Sequence, residues 1–415
     1  MTFRATLKSI GPAIIVAAVV LGPGSILTSS KVGAQFGWMG LPVLMVAIVL
    51  MIGMVALSAR LGVVYDNSIC DELANRLSRP AALAVAGALF LIVALFQSSN
   101  NLAVVAGLEP LFDAADDPLG SSGLRIAIVV AVNAVVIFSL YAMRSLYTLI
   151  EKAMKILMGL MIAVFLLNLA TVMLAEPVER VMDAGPPGEW LALIGMVGTT
   201  FSVAGAFFQA YLVKEKGWGL RDWSKGTKDS ILGISVLGGV TAVILITSIM
   251  VFYRTPQAAG LKGVADVARQ LEPLFGSTAK YVFAVGILAG AFSSFLVNAL
   301  IGGTVMADGL GKGRRIGDRW SRHCTVVALV VGMLIAIAGL AKEGSTVALI
   351  TVAQALTVLG IPALALALLF LGLQRDLTGQ RRTPRALILL AGTGTVVACF
   401  FAGLTALKVW NRLMG

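Results

Sequence analysis

Apolar runs long enough to cross a bilayer follow one another along nearly the whole chain. They lie near 11–36, 37–63, 81–108, 124–143, 146–175, 188–213, 229–253, 280–306, 324–341, 345–372 and 385–408. One crossing takes about 20 predominantly apolar residues. Inside lipid each backbone N–H and C=O has to be satisfied within the protein, so runs of this kind fold as helices. The sequence therefore predicts an all-α integral membrane protein with about 11 transmembrane helices. Composition agrees, since 58% of the 415 residues are hydrophobic and only 13% charged. The connecting segments are short and leave no room for a separate soluble domain. The first run is too long for a signal peptide and leads directly into the second span.

A formal charge of +11 suggests nucleic-acid binding in a soluble protein, but here the basic residues read as topology signals. With the N-terminus cytoplasmic, the inner segments collect 21 Lys and Arg, among them Lys214, Lys216, Lys312, Arg314 and Arg315, and the outer segments 8. That asymmetry places the N-terminus inside and, with eleven spans, the C-terminus outside a cell inner (plasma) membrane. The expected partners are the lipid bilayer and a small solute or ion, not nucleic acid. Cys70, Cys324 and Cys399 have no disulfide or zinc spacing, and His323 is the only histidine. The sequence calls for no cofactor and points to a carrier, not an enzyme. The run Gly309–Arg315 lacks a phosphate-loop frame and reads as a flexible basic loop.

Two spans contain breaks. Leu21-Gly22-Pro23-Gly24-Ser25 sits in the middle of span 1, and a proline between two glycines cannot continue an α-helix. Two half-helices, roughly 11–21 and 25–36, are expected. Span 6 carries a weaker breaker, the small and hydroxylated run from Gly195 to Gly205. Interrupted helices in corresponding positions of two inverted halves mark a midplane substrate site. The alternative is that these glycines only allow close helix packing, as Gly286 and Gly290 do in span 8.

Gly11-Pro12-Ala13, Gly33-Ala34-Gln35-Phe36-Gly37-Trp38, Ser58-Ala59-Arg60-Leu61-Gly62 with Cys70-Asp71-Glu72-Leu73, and Gln354 through Pro362 in span 10 form a recognisable set of motifs. Together they resemble the NRAMP family of proton-coupled divalent-metal transporters. The resemblance implies a LeuT-type 5+5 inverted repeat with interrupted helices 1 and 6. Residues 1–175 would form the first repeat, 176–372 the second, and 373–415 an accessory span. It also implies alternating access and a divalent metal cation as substrate.

The departures fall on the family's functional positions. Its span 1 motif, Asp-Pro-Gly-Asn, stands here as Gly22-Pro23-Gly24-Ser25. Thr199 and Ser202 replace the Ala and Met that the family uses in span 6. The acidic pair linked to proton movement in span 3 corresponds to Asn101 and Val104. Only Gln354 matches a residue that can join the metal shell. No expected span core contains an aspartate, and hydroxyls and amides offset little of a divalent ion's desolvation cost.

The remaining candidates for a substrate site are therefore neutral groups and one cation: Gly22, Gly24, Ser25, Thr28, Lys31, Asn101, Thr199, Ser202, Gln209, Asn298 and Gln354. Lys31 lies about 120° around the helix from Ser25 and about 60° from Thr28. It either neutralises an anionic solute or snorkels to the outer interface. Gln97, Asn100 and Asn101 share a face of span 3 and either line a cavity or bond neighbouring helices. Three functions remain open. One is transport of a divalent cation, hydrated in the manner of Mg²⁺. Another is transport of a small neutral or anionic solute, and the third is a non-transporting membrane sensor.

Overall fold

The computed structural model describes residues 11–108, 122–142, 145–175, 180, 190–255, 261, 277–341 and 360–414. Among them there is no strand. Span 1 is two helices, α1 (Ala13–Val20) and α2 (Pro23–Phe36), and span 2 is α3 (Gly40–Val64). A short helix, α4 (Ile69–Arg76), precedes α5 (Arg79–Leu108), α6 (Ser122–Ala142) and α7 (Leu146–Leu174). Span 6 is again two helices, α8 (Leu191–Thr200) and α9 (Val203–Glu215). The chain continues through α10 (Trp223–Phe252), α11 (Ser277–Gly309), α12 (Arg319–Ala341), α13 (Gly360–Gly372) and α14 (Arg385–Met414).

Each of the eleven expected spans carries helix, so the all-α membrane class stands. Among the described residues nine segments are long and apolar enough to cross a bilayer, and Gly360–Gly372 is a shorter apolar helix. Boundaries move outward where amphipathic turns continue a helix beyond its apolar stretch. Helix α10 starts at Trp223, not 229, and α12 at Arg319, not 324. Helix α4 was not expected. It forms because Ser68 accepts from Asp71 N at 3.3 Å, while Asp71 and Glu72 sit at the positive end of its dipole.

The helices sort into two groups. In one, α3 packs on α9 and α10, and α10 on α1 and α2; in the other, α11 packs on α5 and α12. Helix α7 bridges them by touching α1, α10 and α11. Close approach needs glycine: a Cβ at Gly233 of α10 would stand 2.8 Å from that of Ala13, and one at Gly62 of α3 2.7 Å from Ala210 O. Peripheral helices turn Val135, Phe138, Ile156, Leu389 and Phe400 outward, which suits a lipid surface. The Gly309–Arg315 loop is not the flexible segment expected. The Asp318 carboxylate accepts from Arg314 N at 2.8 Å and Arg315 N at 2.9 Å, and Lys312 lies over the Trp320 ring.

Candidate substrate site at the paired helix breaks

In span 1 the chain leaves the helix at Leu21 and is extended at Gly22, with φ −91° and ψ −179°. An unbroken helix would pair the carbonyls of Ala18, Val19 and Val20 with the N–H groups of residues 22, 23 and 24. Pro23 has no N–H. Hydroxyls take over: Ser293 donates to Ala18 O at 2.9 Å, Ser294 to Val19 O at 2.7 Å and Ser25 to Val20 O at 2.6 Å. Gly22 is pressed against α11, where an added Cβ would meet Ser294 Cβ at 3.0 Å and its Oγ closer still.

Span 6 breaks without a proline. Thr199 returns its hydroxyl to Gly195 O at 2.9 Å, Phe201 ends the half-helix by donating to Val197 O, and Ser202 caps α9 through Gly205 N at 3.5 Å. The Phe201 ring is buried against Gly394 of α14, where a Cβ would stand 2.8 Å from it. That contact fixes the break at Phe201–Ser202.

The two breaks meet. Thr28 Oγ1 lies 3.1 Å from Thr199 Oγ1, and a Cβ on Gly195 would be 3.3 Å from the Thr28 methyl. Away from this contact the halves differ in exposure. On α2 the residues Gly24, Leu27, Thr28, Lys31 and Gln35 form a half-buried stripe, and on α8 Gly195, Gly198 and Thr199 do the same. All of α1 is buried, as is α9 from Gly205 to Val213. Among the described residues the breaks are thus buried on the α1 and α9 side and partly exposed on the α2 and α8 side.

The buried side is fastened by groups that the sequence reading missed. The Asp229 carboxylate accepts from Gly11 N at 2.6 Å and Ala13 N at 2.8 Å, which holds the start of α1 on α10. Asp308, near the end of α11, accepts from Tyr211 Oη of α9 and from Ser68 Oγ, each at 2.6 Å. Lys216 reaches Glu151 at 2.7 Å, and Glu215 accepts from Ile316 N at 2.7 Å. Two aspartates are nevertheless buried near helix ends, outside the cores of the expected spans. Asp229 and Asp308 are 2% and 0% exposed within helices that run further than their apolar stretches.

The structure brings Thr28 and Thr199 into contact, puts Gly22, Gly24 and Ser25 at the first break and Ser202 at the second, and leaves Lys31 half-buried further along the α2 stripe. Asn298 is half-buried one turn beyond Ser294 on α11. Gln209 is elsewhere, fully buried on the α1 and α9 side beside Asp229. Asn101 is spent on helix packing: its amide donates to Gln97 O at 2.8 Å and accepts from Asn133 at 2.6 Å. Gln97 and Asn100 are bound likewise, to Phe295 O and to each other. Gln354 lies outside the described residues. Among those described, no group of three or more His, Cys, Asp or Glu side chains could hold a metal ion.

A helical membrane bundle whose two interrupted helices meet at their breaks is the architecture of a secondary transporter. The chain matches the family described as "Natural resistance-associated macrophage protein-like", Nramp, over residues 13–409, and it belongs to that family. Among its relatives, the divalent metal cation transporter MntH of Xanthomonas campestris pv. campestris is 24% identical, covering 99% of this chain and 91% of that protein. MntH of Xylella fastidiosa strain Temecula1 is 26% identical over 93% of this chain and 82% of its own. Among solved structures, a mutant of the Eremococcus coleocola manganese transporter superposes with a TM-score of 0.77 at 18% identity, covering 97% of this chain and 86% of that one. The nucleobase-cation-symport-1 transporter Mhp1, closed around bromovinylhydantoin, gives a TM-score of 0.61 at 14% identity, covering 97% and 93%. The fold is therefore LeuT-type.

Proposed function

We propose that this chain is a secondary transporter that works by alternating access around the Gly22–Ser25 and Thr199–Ser202 breaks. The observation that carries the proposal is their meeting through Thr28 and Thr199 at the foot of a half-buried stripe. In this reading residues 1–175 and 176–372 are the inverted repeats and 373–415 an accessory span. The N-terminus is cytoplasmic and the C-terminus external, so the buried side is a sealed end that faces the cytoplasm and the outer half stands open.

The relatives' names make a divalent metal ion the first substrate class. In this chain such an ion would travel with most of its water, as Mg²⁺ tolerates, because the donors at the breaks are neutral. A small neutral or anionic solute is the second reading, favoured by the hydroxyl lining and by Lys31 on the same stripe. The fold leaves both open, since one fold hosts many substrates.

Uptake of Mg²⁺ and Mn²⁺ into proteoliposomes, with empty liposomes alongside, tests the proposal. Saturable uptake of either supports the first reading. If neither enters, neutral and anionic solutes are screened on the same vesicles. Absence of any saturable uptake by folded protein would sink the transporter reading in favour of a sensor.

A further inference from the structure

Of the four carbonyls that lose their helical partners at the first break, those of Ala18, Val19 and Val20 are each held by a hydroxyl of this chain, and that of Leu21 is pressed against Gly290 of α11. Ser293, Ser294 and Ser25, which hold the first three in turn, are 0%, 2% and 3% exposed. The C-terminal end of a half-helix carries the negative end of the dipole, and its free carbonyls are what interrupted-helix transporters offer to a cation. Here three of those oxygens face O–H hydrogens. A dehydrated cation would have to displace the hydroxyls, which Ser293 could survive by turning to Gly290 O at 2.9 Å but which would leave the buried Ser294 O–H unpaired, and it would find only neutral oxygens in return. Ser294 has a second effect: it fills the space beside Gly22, so a side chain that brought a charge to the break would have to displace the Ser294 hydroxyl.

We propose that Ser293 and Ser294 are specificity-determining residues that occupy the cation positions of the first break and so exclude a dehydrated divalent ion from it. The inference rests on the breaks being the transport site, and it narrows the substrate to a hydrated cation or an uncharged or anionic solute. It also explains how a helix break, normally in need of a ligand or water, is stable within this packed interior.

The test is equilibrium binding of Mn²⁺ to the purified full chain, read by electron paramagnetic resonance of the free ion. The proteins compared are the wild type, Gly22→Asp, Ser294→Ala and the pair Gly22→Asp/Ser294→Gly. Gel filtration and thermal unfolding check each fold. The wild type and Gly22→Asp should show no saturable binding up to ~1 mM, and the pair should bind at least about tenfold more tightly than either. Saturable binding by the wild type, or by Gly22→Asp as tight as by the pair, overturns the proposal. If the pair does not fold, Ser294→Ala decides. Its freed Val19 carbonyl should bring saturable Mn²⁺ binding below ~1 mM, where the wild type shows none, and no saturable binding in that range overturns the role of Ser294. Failure of the transport reading is separate, because it appears as absent uptake in proteoliposomes whatever the binding result.

Discussion

The hydroxyl of Thr28 lies 3.1 Å from that of Thr199, so the outer half of span 1 and the outer half of span 6 touch at the foot of the open stripe. Each threonine is also within reach of its own helix, Thr28 at Gly24 O and Thr199 at Gly195 O. A hydroxyl has one proton, so only one of the pair donates across the gap while the other donates to its own carbonyl. The contact can therefore break without stranding a donor, which suits a joint that must open and close.

Replacing either threonine by valine keeps its shape and removes the hydroxyl. Thr28→Val and Thr199→Val should each weaken uptake of the transported solute, and the double variant should be little worse than either alone. The coupling energy expected from a double-mutant cycle on uptake is about 1 kcal/mol. Fully additive losses would mean that the two hydroxyls act independently.

Asp229 fastens α1 by two charge-assisted bonds to backbone N–H groups, and Gly233, one turn on, lets the helices touch at Ala13. Asp229→Asn keeps the size but loses the charge facing the start of α1. It should lower the thermal midpoint by a few degrees, equivalent to about 1–3 kcal/mol. Gly233→Ala, which would overpack the same joint, should cost about 1–3 kcal/mol. A midpoint unchanged in both variants would remove the clamp from the account.

Outside the membrane, Arg76 grips Asp376 through both carboxylate oxygens, at 2.6 and 3.2 Å, and holds its carboxyl below the usual range. A depressed carboxylate contributes stability above its ordinary pKa of about 3.9 and loses it as pH falls through the lower value in the folded chain. The melting difference between the wild type and Asp376→Asn should thus stay constant from about pH 5 to 8, begin to decline below about pH 4 and vanish once the pH has fallen through the lower folded-state value. It should be small throughout, because the pair is exposed. A difference that already declines between about pH 7 and 5 would show that another group titrates there.

The spans and the first break were legible because lipid and proline each leave the backbone few choices. Gly22-Pro23-Gly24 forces a break wherever it falls inside a span. The second break was legible only as a region. What fixes it at Phe201–Ser202 is the ring of Phe201 against Gly394, a partner far away in sequence. Ser293 and Ser294 look like ordinary small residues in an apolar helix, and nothing local shows that they face Ala18 and Val19. Asp229 and Asp308 escaped because hydropathy trims a span where its polar turns begin. Asn101 read equally well as cavity lining or helix packing, and its bond with Asn133 places it in packing.

Cys70 offers a native reporter of the sealed end. Its side chain is fully buried, Tyr211 Oη lies 3.4 Å from its sulfur, and Asp308 accepts from its backbone N–H. Burial, reinforced by the Asp308 charge, pushes the thiol well above its ordinary range. Only a thiolate reacts quickly with a maleimide, so in the sealed state Cys70 should be nearly inert at neutral pH. The bonds from Tyr211 and Ser68 to Asp308 hold α9 and the chain before α4 onto α11. Tyr211→Phe removes one of them without changing the ring. If that loss costs about 1.4 kcal/mol of the sealed arrangement, the open fraction and the labelling rate of Cys70 should rise about tenfold. With Cys324 and Cys399 replaced by serine, every count of label is Cys70. Solute added from the outer side should slow labelling if it stabilises the sealed state. Labelling in the parent as fast as in Tyr211→Phe would show that this end is already open in the membrane, and the direction assigned to the open stripe would then be reversed.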